Sequence, residues 1–145
     1  MASEYKPNLG VVTLTASKTL DKNAHAGKVI AISAAAGMTV TLPASSGSGM
    51  SFEIVVVTTV TSNSYVIQVA NSTDTIQGVI GLSTDIAGTS LPTSSTTDTI
   101  TMNGTTTGGI KGSRVVLTDV ASGTWALSGG LVCSGTEATP FSAAV

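Results

Sequence analysis

One stretch of the chain occurs twice at a constant offset, and this repeat limits the folds that the sequence can adopt. Residues 39–70 are matched by residues 99–128: positions 39–68 align with the second range without gaps, TVTL with TITM, VVVT with VVLT, and Tyr65 with Trp125. Each copy has the pattern of a short alternating strand, a Ser/Thr/Gly loop, a Val-rich strand, a four-residue turn and a strand led by an aromatic residue. The repeat predicts an all-β fold: a single compact β-sandwich or barrel-like domain built from two similar three-stranded units.

The composition agrees with this prediction. Ser, Thr and Gly are abundant while Leu, Lys and Glu are scarce, which disfavours helices and suits strands joined by tight turns. Hydrophobic residues make up 41% of the 145 residues and charged residues only 10%, so the chain lacks the signature of disorder. We expect an extended N-terminal arm over residues 1–10 and one β domain of about eight to ten strands over residues 11–145.

The charge distribution excludes several classes of partner. The net charge is −2 and the six basic residues are spread along the chain, so no patch is available to neutralise a phosphate backbone, and nucleic acid is not expected as a partner. No apolar run approaches the roughly 18 residues that cross a bilayer. The first residues lack the basic region and following apolar region of a secretion signal. We therefore expect the protein to remain in the compartment where it is made or to be packaged there.

Outside the repeat, hydrophobic alternation predicts short strands at residues 11–16, 28–33, 75–82 and 131–134. The polar segment 17–27 is predicted to be a turn, and the Ser/Thr-rich segment 91–98 a mobile loop. Cys133 is the only cysteine, which excludes an internal disulfide, and it is interpreted as a small buried apolar side chain.

Alternation within the repeat also predicts the core. Val40 and Leu42 share one face, and Thr39 and Thr41 share the other. The strand over residues 52–60 is apolar on both faces. Because the second copy has Arg114 where the first has Ile54, the shared core is assigned to the opposite face. The predicted core residues are Val40, Leu42, Val55, Val57, Tyr65, Ile67, Ile100, Met102, Val115, Leu117, Trp125 and Leu127.

Few side chains have the surroundings that catalysis or metal binding requires. His25 is the only histidine, lies in a polar segment and has no serine signature near it, so no hydrolytic site is expected. Asp74, Asp85, Asp98 and Asp119 are scattered and lack the spacing of a calcium loop, so they are interpreted as turn-forming or solvated. No catalytic residue, metal ligand or cofactor is predicted.

Two further patterns have a weak functional interpretation. The Gly-rich segments 47–49 and 107–112 lack both the phosphate-loop spacing and a following helix, so they are interpreted as β-turns. The Thr-x-Thr pairs at residues 39–41 and 99–101 could form a flat hydroxyl array that binds ice or sugar. Such arrays need many regular rungs, and only two are visible.

Three motifs carry a resemblance to a known family. TLPASSGSG precedes a Val-rich strand, DTIQGVI follows it, and GGIKGSRVVLTDVASGTW comes near the end. Over residues 37–128 the chain resembles tailed-bacteriophage virion proteins similar to capsid decoration, or cement, proteins. The resemblance implies a non-enzymatic protein on the outer capsid surface of the virion, made in the host bacterial cytoplasm, that stabilises the head by bridging capsomers. Its implied partners are the major capsid protein and copies of itself in a homotrimer.

The candidate contact residues lie near the two ends of the chain. Tyr5 and Leu9 are sizeable apolar groups of an arm that cannot bury itself locally, and Lys6 suits a polar rim around them. Phe141 is a lone aromatic on a tail of small residues and is expected to anchor that tail in a groove. The alternative function is a receptor- or glycan-binding domain of a phage head or tail fibre, which ring-stacking aromatics would favour. An enzyme ranks below both.

Overall fold

The computed structural model describes residues 10–145 and confirms the all-β prediction. Twelve strands, more than the eight to ten expected, and one helical turn are present in this range. They are β1 (Val11–Leu14), β2 (Lys18–Thr19), α1 (Lys22–His25), β3 (Val29–Ile32), β4 (Met38–Thr41), β5 (Ser51–Val56), β6 (Tyr65–Gln68), β7 (Thr75–Ser83), β8 (Gly88–Pro92), β9 (Thr99–Met102), β10 (Arg114–Ala121), β11 (Thr124–Val132) and β12 (Phe141–Ser142). The strands predicted at residues 11–16, 28–33 and 75–82 are present. The strand predicted at 131–134 is the end of β11.

The strands form two mixed sheets that enclose one core. The seven-stranded sheet has the order β1-β3-β5-β10-β11-β7-β8, and the five-stranded sheet has the order β12-β9-β6-β4-β2. Side chains from both sheets meet in a single hydrophobic cluster. Trp125 and Phe52 lie at its centre with no more than 1% exposure, their ring centroids 5.8 Å apart and tilted by 39°. The architecture is therefore a β-sandwich.

The two copies of the repeat do not form equivalent three-stranded units, so that part of the prediction is wrong. The first strand of each copy, β4 or β9, lies in the five-stranded sheet, and the second, β5 or β10, lies in the seven-stranded sheet. The third strands separate: β6 pairs with β4, whereas β11 pairs with β10. The connections that lead into the third strands differ. Residues 57–64 carry the chain from β5 across to the five-stranded sheet, whereas a tight turn with Gly123 at φ 83° returns the chain beside β10 in the seven-stranded sheet.

Two predicted core residues, Val55 and Val57, point away from the core. Val55 is half-buried and Val57 is 38% exposed. The opposite face of β5 faces inward instead, with its three side chains no more than 1% exposed: Phe52, Ile54 and Val56. The other ten predicted core residues are buried as expected.

The register between β5 and β10 explains this error. These strands are antiparallel neighbours, and Ile54 lies opposite Val115 on the inner face. Val55 lies opposite Arg114 on the outer face, where Arg114 Nε is 2.8 Å from Glu53 Oε1. The gapless alignment placed Val55 on Val115, but equivalent positions of the two copies face opposite ways at this point.

The two polar segments also contain more structure than predicted. Residues 17–27 contain β2 and α1, and Asp21 caps the start of α1, since its carboxylate accepts the N–H groups of Asn23 and Ala24 at 2.8 and 2.9 Å. In the segment 91–98, Thr97 and Asp98 are buried rather than exposed.

Candidate interaction surfaces

Asp119 is fully buried and organises the loop at residues 46–49. Its carboxylate accepts the backbone N–H groups of Ser46, Gly47 and Ser48 at 2.8 to 3.0 Å, and the Ser48 hydroxyl at 2.8 Å. Burial raises the pKa of Asp119, but these hydrogen bonds outweigh it and lower the pKa to about 2. The carboxylate is therefore ionised and fully engaged in holding the loop.

A second buried carboxylate, Asp74, holds the neighbouring turn. It accepts the backbone N–H of Ser45 at 2.9 Å and the side-chain amide of Asn71 at 3.2 Å. The Ser45 hydroxyl in turn accepts the N–H of Gly123 at 2.7 Å. The three motifs behind the family resemblance thus meet at one end of the sandwich, where their polar residues bind one another.

The third buried carboxylate, Asp98, holds the C-terminal segment. It accepts the backbone N–H groups of Ala144 at 2.8 Å and Val145 at 3.3 Å, and the Thr99 hydroxyl at 2.7 Å. Burial raises its pKa, yet the hydrogen bonds from Thr99, Ala144 and Val145 give a net lowering. Asp98, Asp74 and Asp119 are therefore structural and not solvated; of the two predicted roles, turn-forming or solvated, only the first agrees with Asp74 and Asp119, which hold a turn and a loop.

The remaining titratable candidates are dispersed. His25 is buried, and its Nδ1 lies 2.8 Å from the backbone N of Asp21, which donates to it. Asp85 is exposed in the turn after β7. Within residues 10–145, no group of three or more His, Cys, Asp or Glu side chains is placed to hold a metal ion.

The Thr-x-Thr pairs lie on the outer face of the five-stranded sheet. Thr39 and Thr101 flank Val66, and Thr41 and Thr99 flank Gln68. Thr99 is only 2% exposed, and its hydroxyl is engaged by Asp98. The array is therefore short and incomplete.

The outer face of the seven-stranded sheet presents a broad surface with little charge. On this face, residues that are paired side by side form rows across the strands. One row crosses all seven strands and consists of Thr13, Ala31, Val55, Arg114, Gly130, Gly81 and Ser90. The adjacent row includes Val11, Val29, Glu53, Val116 and Ser128, and farther along Val79 opposite Pro92. The charges in these two rows, Glu53 and Arg114, neutralise each other.

The dimensions of this face suit a docking surface. Seven strands at about 4.8 Å spacing make it roughly 30 Å wide. Val11 is 64% exposed and Val79 54% exposed, so apolar side chains stand free at both sides of the sheet. Sequence analysis missed this surface, although the valines on both faces of β5 and β10 were a signal for it.

The contact residues predicted from sequence have mixed outcomes. Tyr5, Lys6 and Leu9 lie outside the described residues. Phe141 pairs with Ile100 in the five-stranded sheet and packs half-buried against the core, so it anchors the tail within its own subunit. That position agrees with an anchoring role, but the groove belongs to the same chain.

Comparisons with known proteins identify no relative: no family model, no curated protein and no solved structure matches the chain. In residues 10–145, no helix has the length and apolar character needed to cross a membrane.

Proposed function

We propose that the chain is a non-enzymatic virion structural protein that binds the outer surface of a phage capsid and stabilises the head by bridging capsomers. The observation that carries this proposal is the outer face of the seven-stranded sheet, where valine, serine and glycine surround a single ion pair. Charged residues other than arginine are depleted at the cores of protein–protein interfaces, and here Arg114 lies on the central strand with its charge neutralised by Glu53. The resemblance of residues 37–128 to decoration proteins is what supports the capsid as the proposed partner.

The buried carboxylates support a binding role. The oxygen atoms of Asp74, Asp98 and Asp119 accept hydrogen bonds from loops and from the C-terminal segment. Each of these groups stiffens an end or an edge of the sandwich, which is what a scaffold for a contact surface requires.

The expected assembly is a homotrimer with the major capsid protein as its partner. A ligand that binds the assembled shell and not its dissociated parts stabilises the shell by mass action. A trimer on a threefold site engages three equivalent surfaces, so modest individual contacts combine into high avidity.

The receptor- or glycan-binding alternative has weaker support. Phe52, Tyr65 and Trp125 are buried, so their rings are out of reach of a sugar. The partly exposed threonines of the five-stranded sheet are the surface on which this alternative depends.

Co-sedimentation with undecorated heads of the phage that encodes the chain tests the proposal. A double variant, Val11→Lys with Val79→Lys, places two charges on the outer face of the seven-stranded sheet. The matched control is Val66→Lys on the outer face of the other sheet. We expect at least a tenfold loss of binding for the double variant and unchanged binding for the control.

Two outcomes contradict this proposal. Equal binding of the double variant and the wild type excludes this face as the docking surface. Absence of wild-type binding excludes the capsid role, and specific hits on a glycan array would then favour the fibre-domain alternative.

A further inference from the structure

Asn103 is the only asparagine of the chain that is followed by glycine. In an Asn–Gly pair the asparagine side chain reacts readily with the backbone, because glycine has no side chain to hinder the approach. The glycine nitrogen attacks the side-chain amide carbon, and a new C–N bond closes a five-membered imide. The Cγ–Nδ2 bond breaks, and ammonia leaves with the proton lost by the glycine nitrogen. Water then opens the ring to give aspartate or isoaspartate.

In the folded chain, the attacking nitrogen is engaged. Gly104 is buried, and its N–H donates to the Gly108 carbonyl at 2.7 Å. Gly104 has φ 85°, and a Cβ atom at this position would collide with the Val60 carbonyl oxygen, so the backbone is closely packed here. The nitrogen therefore cannot lose its proton to solvent or turn towards the Asn103 side chain without breaking a buried hydrogen bond.

The amide group that would be attacked is held as well. Asn103 Oδ1 accepts the backbone N–H groups of Thr105 at 2.9 Å and Thr107 at 3.2 Å. Asn103 Nδ2 donates to the Thr106 hydroxyl at 3.0 Å. These bonds fix the side chain against the turn that follows it, so both reacting groups must be released before the ring can close.

The loop at residues 103–109 is tied to the C-terminal part of the domain. The Thr105 carbonyl accepts the N–H of Ser134 at 3.0 Å. The Thr106 carbonyl accepts the N–H of Ala138 at 3.0 Å. Opening of the loop breaks these bonds together with those of Asn103, so the open form is a small fraction of the folded protein.

We propose that Asn103 is a deamidation site that the folded loop protects, so that the conversion occurs when residues 103–109 open. The reaction is spontaneous and consumes only water. Isoaspartate adds a methylene group to the backbone beside Gly104, where the close contact with Val60 prevents the loop from closing unchanged. Opening of the loop is thereby recorded as a covalent change. This inference goes beyond the proposed function and does not depend on the capsid.

Peptide mass spectrometry of the full chain in mildly alkaline buffer tests the proposal. The conversion of Asn103 to the acid is followed over time in the native protein and in guanidinium chloride. We expect conversion in the native protein to be at least about tenfold slower, because only the open form reacts. Equal rates in the two solutions would show that the fold gives no protection. Absence of conversion in guanidinium chloride would show that the site is not labile.

Two variants test whether the protection is local. Thr106→Val removes the acceptor of Asn103 Nδ2, whereas the control, Thr73→Val, removes a hydroxyl that donates to Asn71 Oδ1 at 2.6 Å in another turn. We expect native Thr106→Val to convert Asn103 at least about threefold faster than the wild type, the effect of one lost hydrogen bond. The control should equal the wild type, and thermal melts should show both variants folded.

Two results with these variants overturn the proposal. One is a wild-type rate of Asn103 conversion in Thr106→Val, and the other is equal acceleration by Thr73→Val. If Thr106→Val does not fold, the comparison of native and denatured wild type decides alone.

Discussion

Gly47 donates its backbone N–H to the Asp119 carboxylate at 2.8 Å, across 72 residues of sequence. This contact joins the Gly-rich loop after β4 to the end of β10, so it ties the two sheets together at one end of the sandwich. Hydrogen bonds to a buried charge are stronger than neutral ones, and they define the shape of this loop.

Replacement of Asp119 should destabilise the domain strongly. In Asp119→Ala, three backbone N–H groups and two hydroxyls lose their acceptor, so we expect a loss of about 3 kcal/mol or more in the free energy of unfolding. Denaturant melts measure the change. The control is Asp85→Ala, an exposed carboxylate, which should cost less than about 0.5 kcal/mol. Similar losses for the two variants would show that the loop does not depend on Asp119.

The low pKa of Asp119 predicts how stability depends on pH. Its pKa falls from 3.8 to about 2 on folding, so its contribution is complete above about pH 4 and is lost as the pH falls towards 2. Melts of the wild type and of Asp119→Asn between pH 7 and pH 2 should therefore converge as the pH falls through this window. A constant difference between the two proteins over the whole range contradicts the assignment.

Trp125 should be a major source of core stability. Its side chain is fully buried against Phe52, so Trp125→Ala should cost about 3 to 5 kcal/mol in denaturant melts followed by circular dichroism. Its Nε1 is buried without a hydrogen-bond partner in the described part of the chain, so Trp125→Phe removes an unsatisfied donor and should cost less than the alanine variant. Equal costs for the two variants would contradict this explanation.

Cys133 should react slowly in the folded protein. Its side chain is 5% exposed, and burial raises the pKa of its thiol, so little thiolate is present at neutral pH. A thiol reagent should label the native protein much more slowly than the protein in guanidinium chloride. Comparable rates would show that the segment around Cys133 opens readily.

Alternation of apolar residues was sufficient to predict most of the strands and most of the core, because the side-chain period of a strand is a local property, but the edge strands β2, β8 and β12 lack this pattern and were missed. Which face of β5 points towards the core could not be predicted from the local sequence, because it depends on the pairing of Ile54 with Val115 in a neighbouring strand. The structural role of Asp119 was hidden for the same reason, because its partners lie far away in sequence. The outer face became visible only when the registers of seven strands were known.

Heating of undecorated heads with and without the protein tests the proposed stabilising role most directly. The temperature at which heads release their DNA is measured with no addition, with the wild type, with the Val11→Lys and Val79→Lys double variant, and with Val66→Lys. We predict that the wild type and Val66→Lys raise the release temperature and that the double variant leaves it near that of untreated heads. An unchanged release temperature at saturating wild-type protein would contradict the role as a decoration protein.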